Sequence, residues 1–200
     1  PNRNRTNFER YDMKEKLILT DCDGVLLHWE WMFDRWMAKH GYSRNESDSY
    51  HMDINYDISR TDAERLVKIF NETVYIANLP PYLDTIKYVK KLHEDHGYVF
   101  HVITSIGSDP LVVRARIKNL HAVFGSSPFY GVDCVEDKRQ VLSQYTDSNC
   151  WWIEDHTKNY ELGIELGLSS VMMTQPYNRR YAASSRVANW KHLYELIMSE

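Results

Sequence analysis

Leu17-Ile18-Leu19-Thr20-Asp21-Cys22-Asp23-Gly24-Val25 is the stretch on which the fold of this chain turns. A short apolar run meets two acids spaced one residue apart, and a glycine follows. A continuous rather than alternating apolar run suits a strand covered on both faces, as in a parallel sheet. Asp and Gly at its end favour a tight turn. In an open α/β sheet, ligands bind beyond the carboxyl ends of the strands, so Asp21 and Asp23 stand where chemistry is expected. Taken alone, the pair also fits an ordinary strand-to-turn ending.

Working outward, the sequence predicts strands over 16–21, 98–104, 128–133, 150–155 and 169–174. Helical patterns fill the gaps. Over 81–96, Leu83, Ile86, Val89 and Leu92 form one stripe, and Gly97 ends it. Asp109-Pro110 supplies an N-cap followed by proline at the first helical position, and Gly125 sits where such a helix should stop. Further helices are expected over 136–145, 158–166 and 187–198. Strands alternating with helices mean βαβ units, hence a Rossmann-like α/β fold: an open parallel sheet with helices on both faces.

One interval breaks the rhythm. Positions 24–97 separate the first strand from the second, far more than the roughly dozen residues a parallel crossover needs. The interval holds an aromatic helix over 29–40 and a polar, turn-rich passage over 41–60. A second helix begins near Asp62, with Thr61-Asp62-Ala63-Glu64 reading as a capping box and Leu66, Ile69, Phe70, Val74 and Ala77 on one face. The expected organisation is an α/β core over 11–26 and 81–200, with a small helical cap over 27–80 inserted after the first strand.

The polar residues that end the strands define a candidate site. Strand one supplies Asp21 and Asp23, strand two Thr104 and Ser105, and strand four Glu154 and Asp155. Lys138 opens the helix after strand three, with Arg139 beside it as a rival cation. Phosphoryl transfer needs this mixture, because its catalysis is chiefly positioning and electrostatic stabilisation of spread negative charge. Asp21 can attack phosphorus as a nucleophile, and Asp23 can serve as acid and base for the leaving oxygen and water. Mg²⁺ between Asp21, Asp23 and Asp155 would relieve the repulsion of anions. Thr104 and Ser105 can hold phosphate oxygens, although the two also suit a hydroxyl-rich turn. Lys138 can neutralise the phosphoryl charge, although residues 136–139 also describe a solvated first helical turn.

The order Asp-x-Asp-Gly-Val, hydrophobic-Thr-Ser, Lys and hydrophobic-Glu-Asp-x-x-x-Asn resembles the four motifs of the haloacid dehalogenase superfamily over roughly residues 16–174. The resemblance implies Asp21 as nucleophile, Asp23 as acid/base, Thr104 as phosphate ligand, Lys138 as the third-motif cation and Asp155 as metal ligand. Glu154 and Asn159 would support them. Within the superfamily, residues 21–30 are similar to the first motif of the 5′(3′)-deoxyribonucleotidases, and Trp29 falls where that family sets an aromatic against the substrate base. His28 replaces an acid of that motif, and His156-Thr157 replace an Arg-Pro of the fourth. The expected activity is therefore Mg²⁺-dependent hydrolysis of a small phosphate ester, a nucleoside (deoxy)monophosphate by resemblance. A phosphatase or phosphomutase for another metabolite, and a non-catalytic binding module, are the alternatives.

Composition narrows the rest. Net charge is −4, from 28 acidic and 24 basic residues. Lys and Arg are scattered except for Arg3, Arg5 and Arg10, which read as a frayed terminus, so no surface for duplex nucleic acid is expected. No apolar run approaches the roughly 20 residues that span a bilayer, and no signal-peptide core stands at the start, so a cytoplasmic location is the expectation. The three cysteines suit buried thiols rather than a zinc ribbon, and the histidines show no zinc spacing. Trp29, Trp31, Phe33 and Trp36 suit the core of the cap, Trp29 doubling as a stacking candidate. The sequence leaves oligomeric state open, a homodimer included.

Overall fold

In a computed structural model, residues 16–199 are described. The basic positions Arg3, Arg5 and Arg10 lie outside them, as does the start of the expected core at 11–15.

The centre of the structure is β1 (Leu17–Thr20). In chain order there follow α1 (Trp29–Lys39), α2 (Met52–Tyr56), α3 (Arg60–Asn71) and a 3₁₀ turn (Val74–Asn78). Next come α4 (Thr85–Glu94), β2 (Val99–Thr104), α5 (Pro110–Phe124) and β3 (Phe129–Cys134). The remainder is α6 (Arg139–Leu142), a 3₁₀ turn (Ser143–Tyr145), β4 (Trp151–Glu154), α7 (Thr157–Glu165), β5 (Ser169–Met173), a 3₁₀ turn (Pro176–Asn178), β6 (Arg186–Val187) and α8 (Trp190–Ser199). The sheet runs β3-β2-β1-β4-β5-β6 with every pairing parallel. That is a doubly wound order whose switch point lies between β1 and β4, where a crevice opens at the carboxyl ends.

Both faces of the sheet are packed. Ile18, Phe100, Ile153 and Val171 enter one cluster with residues of α4, α5 and α8. Leu17, Leu19, Ile103 and Trp152 enter the other, with residues of α6 and α7. The two-residue alternation of strand side chains sends neighbours to opposite faces, and both are apolar because helices cover both.

Several boundaries depart from the sequence reading, each for a local reason. The helix expected from 81 starts at Thr85, because the chain is extended before it: Leu27 bridges Pro81, and the Tyr82 amide donates to Leu26. Leu83 therefore falls off the buried stripe and is fully exposed, while Thr85, Tyr88, Val89 and Leu92 face inward. Ser59, not Thr61, caps α3; its extended backbone lets its hydroxyl accept from the Asp62 amide at 3.1 Å. That helix stops at Asn71, Thr73 caps a separate 3₁₀ turn, and Val74 is 77% exposed. The helix expected over 136–145 is reduced to α6 and a 3₁₀ turn. β3 is an edge strand and only half-buried, and the two-residue β6 and the short α2 had no sequence signal.

Residues 29–78 leave and re-enter the core side by side. The His28 amide donates to Pro80 at 2.8 Å beside the Leu27–Pro81 bridge. From α5, the Asn119 amide group clamps Leu79, accepting from its N–H and donating to its carbonyl, both at 3.1 Å. Inside this segment Trp29, Phe33, Trp36 and Phe70 pack ring against ring. Among the described residues no helix is long and apolar enough to cross a membrane.

Candidate active site

At the switch point, Asp21 follows β1 and its amide donates to Ile153 of β4 at 2.9 Å. Glu154 ends β4 and Asp155 follows it. Carboxylate oxygens of Asp21, Glu154 and Asp155 all lie within 4.8 Å of one another, and all three residues are buried. Lys138, just before α6, points its Nζ between Asp21 and Glu154, 2.7 Å from each. Arg139 turns outward to a bidentate pair with Glu165, so the inward cation of the two is Lys138.

The electrostatics of the cluster are lopsided. Burial pushes the Asp21 carboxyl well above the usual range, nearby Glu154 adds to this, and Lys138 works against it. Burial and the charges of Glu154 and Asp21 do the same to Asp155. Glu154 ends on the other side: burial would raise it, but Lys138 and hydrogen bonds hold it below its ordinary value. Lys138 is likewise raised, because two carboxylates outweigh its desolvation. Three carboxylates thus share one ammonium in a buried space, an arrangement that suits a further cation.

The donor set fits a hard divalent ion. Both Glu154 oxygens are committed, Oε2 to Lys138 and Oε1 to the amides of Asp155 and His156. Asp21 accepts from the Cys22 amide through Oδ1 and meets Lys138 through Oδ2, and Asp155 accepts from Tyr177 through Oδ2. These two carboxylates, which border the cavity, would hold an ion through their remaining lone pairs, the one or two carboxylates that Mg²⁺ typically takes. Asp23, also expected among the metal ligands, lies outside the cluster of three carboxylates but borders the same cavity. Its Oδ2 accepts from Nη2 of Arg116 at 2.7 Å, and its Oδ1 is buried with no hydrogen-bond partner among the described residues. Burial still raises the Asp23 carboxyl, against the pull of Arg116.

Asp21, Asp23, Lys138 and Asp155 border one cavity of about 300 Å³, which Thr104, Ser105 and Asn159 also line. Thr104 is buried at the end of β2, and Ser105 is exposed just beyond it. Asn159 on α7 accepts from the Trp152 indole through its backbone carbonyl, 3.0 Å away. The far wall comes from residues 29–78, including Trp29, Tyr50, Arg60 and Asn71. The Trp29 ring stacks on Phe33 at 4.7 Å and its indole N–H donates to Asn71 at 2.9 Å, so it belongs to the aromatic core of that segment and to the cavity wall together.

Three contributions escaped the sequence reading. Arg116 reaches the Asp21–Asp23 turn from α5, a helix without a motif; its signal was a charge on the buried stripe of Val112, Asn119 and Leu120. Tyr177 donates its hydroxyl to Asp155 from the turn after β5. That turn is fixed by a reciprocal cap between Gln175 and Asn178, and Gln175 also donates to the Gly24 carbonyl at 2.6 Å. Tyr50 comes from the polar passage and sets its ring 4.2 Å from His156 and 5.4 Å from Tyr177. Cys22 is fully buried and its thiol is pushed well up by burial, so it is an inert packing residue.

Solved structures share the fold. A haloacid dehalogenase-like family hydrolase from Streptococcus pneumoniae aligns with a TM-score of 0.66 at 13% identity, covering 94% of this chain and 99% of that one. CbbY from Rhodobacter sphaeroides, solved in complex with phosphate, aligns at 0.57 and 14% identity over 89% and 96% of the two chains. A haloacid dehalogenase-like hydrolase from Xanthomonas campestris gives 0.58 at 14% over 92% and 95%. An uncharacterized 32.4 kDa protein of Enterobacteria phage T4, from the Gp30-rIII intergenic region, is 28% identical over 114 residues. That match takes in 54% of this chain and 40% of the phage protein's length. Residues 15–200 match the family described as 5′ nucleotidase, deoxy (pyrimidine), cytosolic type C protein. With a haloacid dehalogenase-like fold and a match over nearly its whole length, the chain belongs to the cytosolic type C 5′-nucleotidase family.

Proposed function

We propose that the protein is a Mg²⁺-dependent phosphomonoesterase acting on a nucleoside (deoxy)monophosphate through an aspartyl-phosphate on Asp21. The observation that carries this reading is Asp21 at the floor of the cavity, 2.7 Å from Lys138 and clustered with Asp155. Family membership supports the substrate class. Residues 27–80 act in this reading as a cap over the core, and the cavity walled by both is the substrate chamber.

Lys138 and the hydroxyls of Thr104 and Ser105 bind the phosphoryl oxygens. An Asp21 oxygen then attacks phosphorus. The bond to the leaving oxygen breaks with its electron pair, and Asp23 gives that oxygen a proton. In the second half, water loses a proton to Asp23 and attacks the same phosphorus. The Asp21–phosphorus bond breaks, freeing inorganic phosphate and restoring the carboxylate. Mg²⁺, held by Asp21 and Asp155, would supply charge neutralisation for the phosphoryl group. Glu154 fixes Lys138 and the backbone after β4, and Trp29 offers a ring to the base.

The test is phosphate release from a panel of nucleoside monophosphates and aryl phosphates, with Mg²⁺ and with chelator. Release that needs the metal and disappears in Asp21→Asn is expected. No release from any ester, or release undiminished in Asp21→Asn, would overturn the reading.

A further inference from the structure

We propose that Arg116 is a positioning residue for the reaction: its guanidinium holds Oδ2 of Asp23 and so fixes that carboxylate in one orientation at the wall of the substrate cavity. The proposal rests on the phosphatase reading and deepens it.

Arg116 sits on α5 with 0% of its surface exposed, in a buried stripe with Val112, Asn119 and Leu120. Its Nη2 donates to Asp23 Oδ2 at 2.7 Å, its Nη1 to Cys22 Sγ at 3.4 Å, and its Nε has no partner among the described residues. Stability alone gives little reason for such a group. Desolvating a guanidinium is costly, and well-packed apolar residues in place of a buried ion pair are often as stabilising or more so. One end of this pair is not structural, because Asp23 borders the substrate cavity. The charge-assisted bond is directional, and the guanidinium, itself tied to Cys22 by its other terminal nitrogen, holds the carboxylate better than solvent contact can.

The scaffold behind the contact is stiff. One turn further along α5, Asn119 clamps Leu79 by both backbone groups where residues 29–78 rejoin the core. A single helix therefore holds the Asp21–Asp23 turn at one point and the root of the inserted segment at the next. With Oδ2 held by Arg116 and Oδ1 buried, the Asp23 carboxylate cannot swing, and it meets the cavity in one orientation.

The experiment compares two esters. A nucleoside monophosphate leaves as an alkoxide that needs protonation, whereas p-nitrophenyl phosphate leaves as a stabilised phenolate that needs little. Arg116→Met should lower kcat for the nucleotide about 100-fold, within the usual range for losing an oriented acid–base group, with KM nearly unchanged. The aryl ester should lose less than about tenfold. Arg116→Lys, which keeps a charged donor, should recover part of the nucleotide rate, and Asp23→Asn combined with Arg116→Met should be no slower than Asp23→Asn alone. If the Met variant does not fold, the Lys variant carries the same two-ester comparison. Equal losses on both esters, a loss confined to KM, or additive losses in the double variant would overturn the role of Arg116 and leave the phosphatase reading standing. A wild-type protein that releases phosphate from neither ester would overturn both.

Discussion

At Gly24 a missing methyl group lets two parts of the site approach. Its φ of +77° lies where side chains are strained, and an added Cβ would stand 1.9 Å from Asp155 Oδ2. Gly24→Ala should cost about 1–3 kcal/mol from the backbone alone and displace Asp155, weakening both folding and Mg²⁺ binding. Urea melts and a calorimetric Mg²⁺ titration would measure the two losses. His28 carries a different prediction. Burial holds its imidazole below the ordinary 6.5, its ring stacking on Tyr82 at 4.4 Å. The folded state resists a proton that the unfolded chain accepts, so this contribution to stability is full above the unfolded value and fades as pH falls below it. His28→Gln should flatten that acid-side slope, read as urea midpoints between about pH 5 and 7.5. The residues whose convergence was legible in advance were those at strand ends, where position along the sheet dictates which side chains meet. Arg116 and Tyr177 were not, because each reaches the site from an element whose direction only packing decides.

Among elements, β1, β2, β4, β5, α5 and α7 were readable from apolar runs and caps. The start of α4 departs from the sequence expectation because the bridge between Leu27 and Pro81 is a contact between residues distant in sequence, which periodicity does not report. The same crossing explains a prediction on α5. Asn119→Ala would leave the Leu79 N–H and carbonyl without partners in a buried place, at a cost of about 1–3 kcal/mol. Hydrogen exchange should then rise at the Leu79 and Tyr82 amides before it rises in β1. In α1, Trp29→Ala removes a cavity wall. A base stacked on that ring gains about 1–3 kcal/mol, so KM should rise roughly tenfold or more for nucleotides and far less for p-nitrophenyl phosphate. Equal changes for both would reduce Trp29 to packing, in keeping with its contact with Phe33.

For the whole molecule, the parallel order β3-β2-β1-β4-β5-β6 explains why the acids converge: it places the ends of β1 and β4 side by side, on the two sides of the switch point. In the proposed reading the buried carboxylates bind Mg²⁺ only when the chain is folded, so Mg²⁺ at about 100 times its Kd should add about 2.7 kcal/mol to stability. Asp155→Asn should abolish that shift in melting temperature. The central claim is the covalent step on Asp21. Its most direct measurement is mass spectrometry of peptides from enzyme quenched in acid during turnover of a nucleoside monophosphate with Mg²⁺. A phosphoryl group on the peptide that carries Asp21, absent in Asp21→Asn, is the predicted result. Steady turnover with that peptide unmodified, or with the phosphoryl group on another residue, would contradict it.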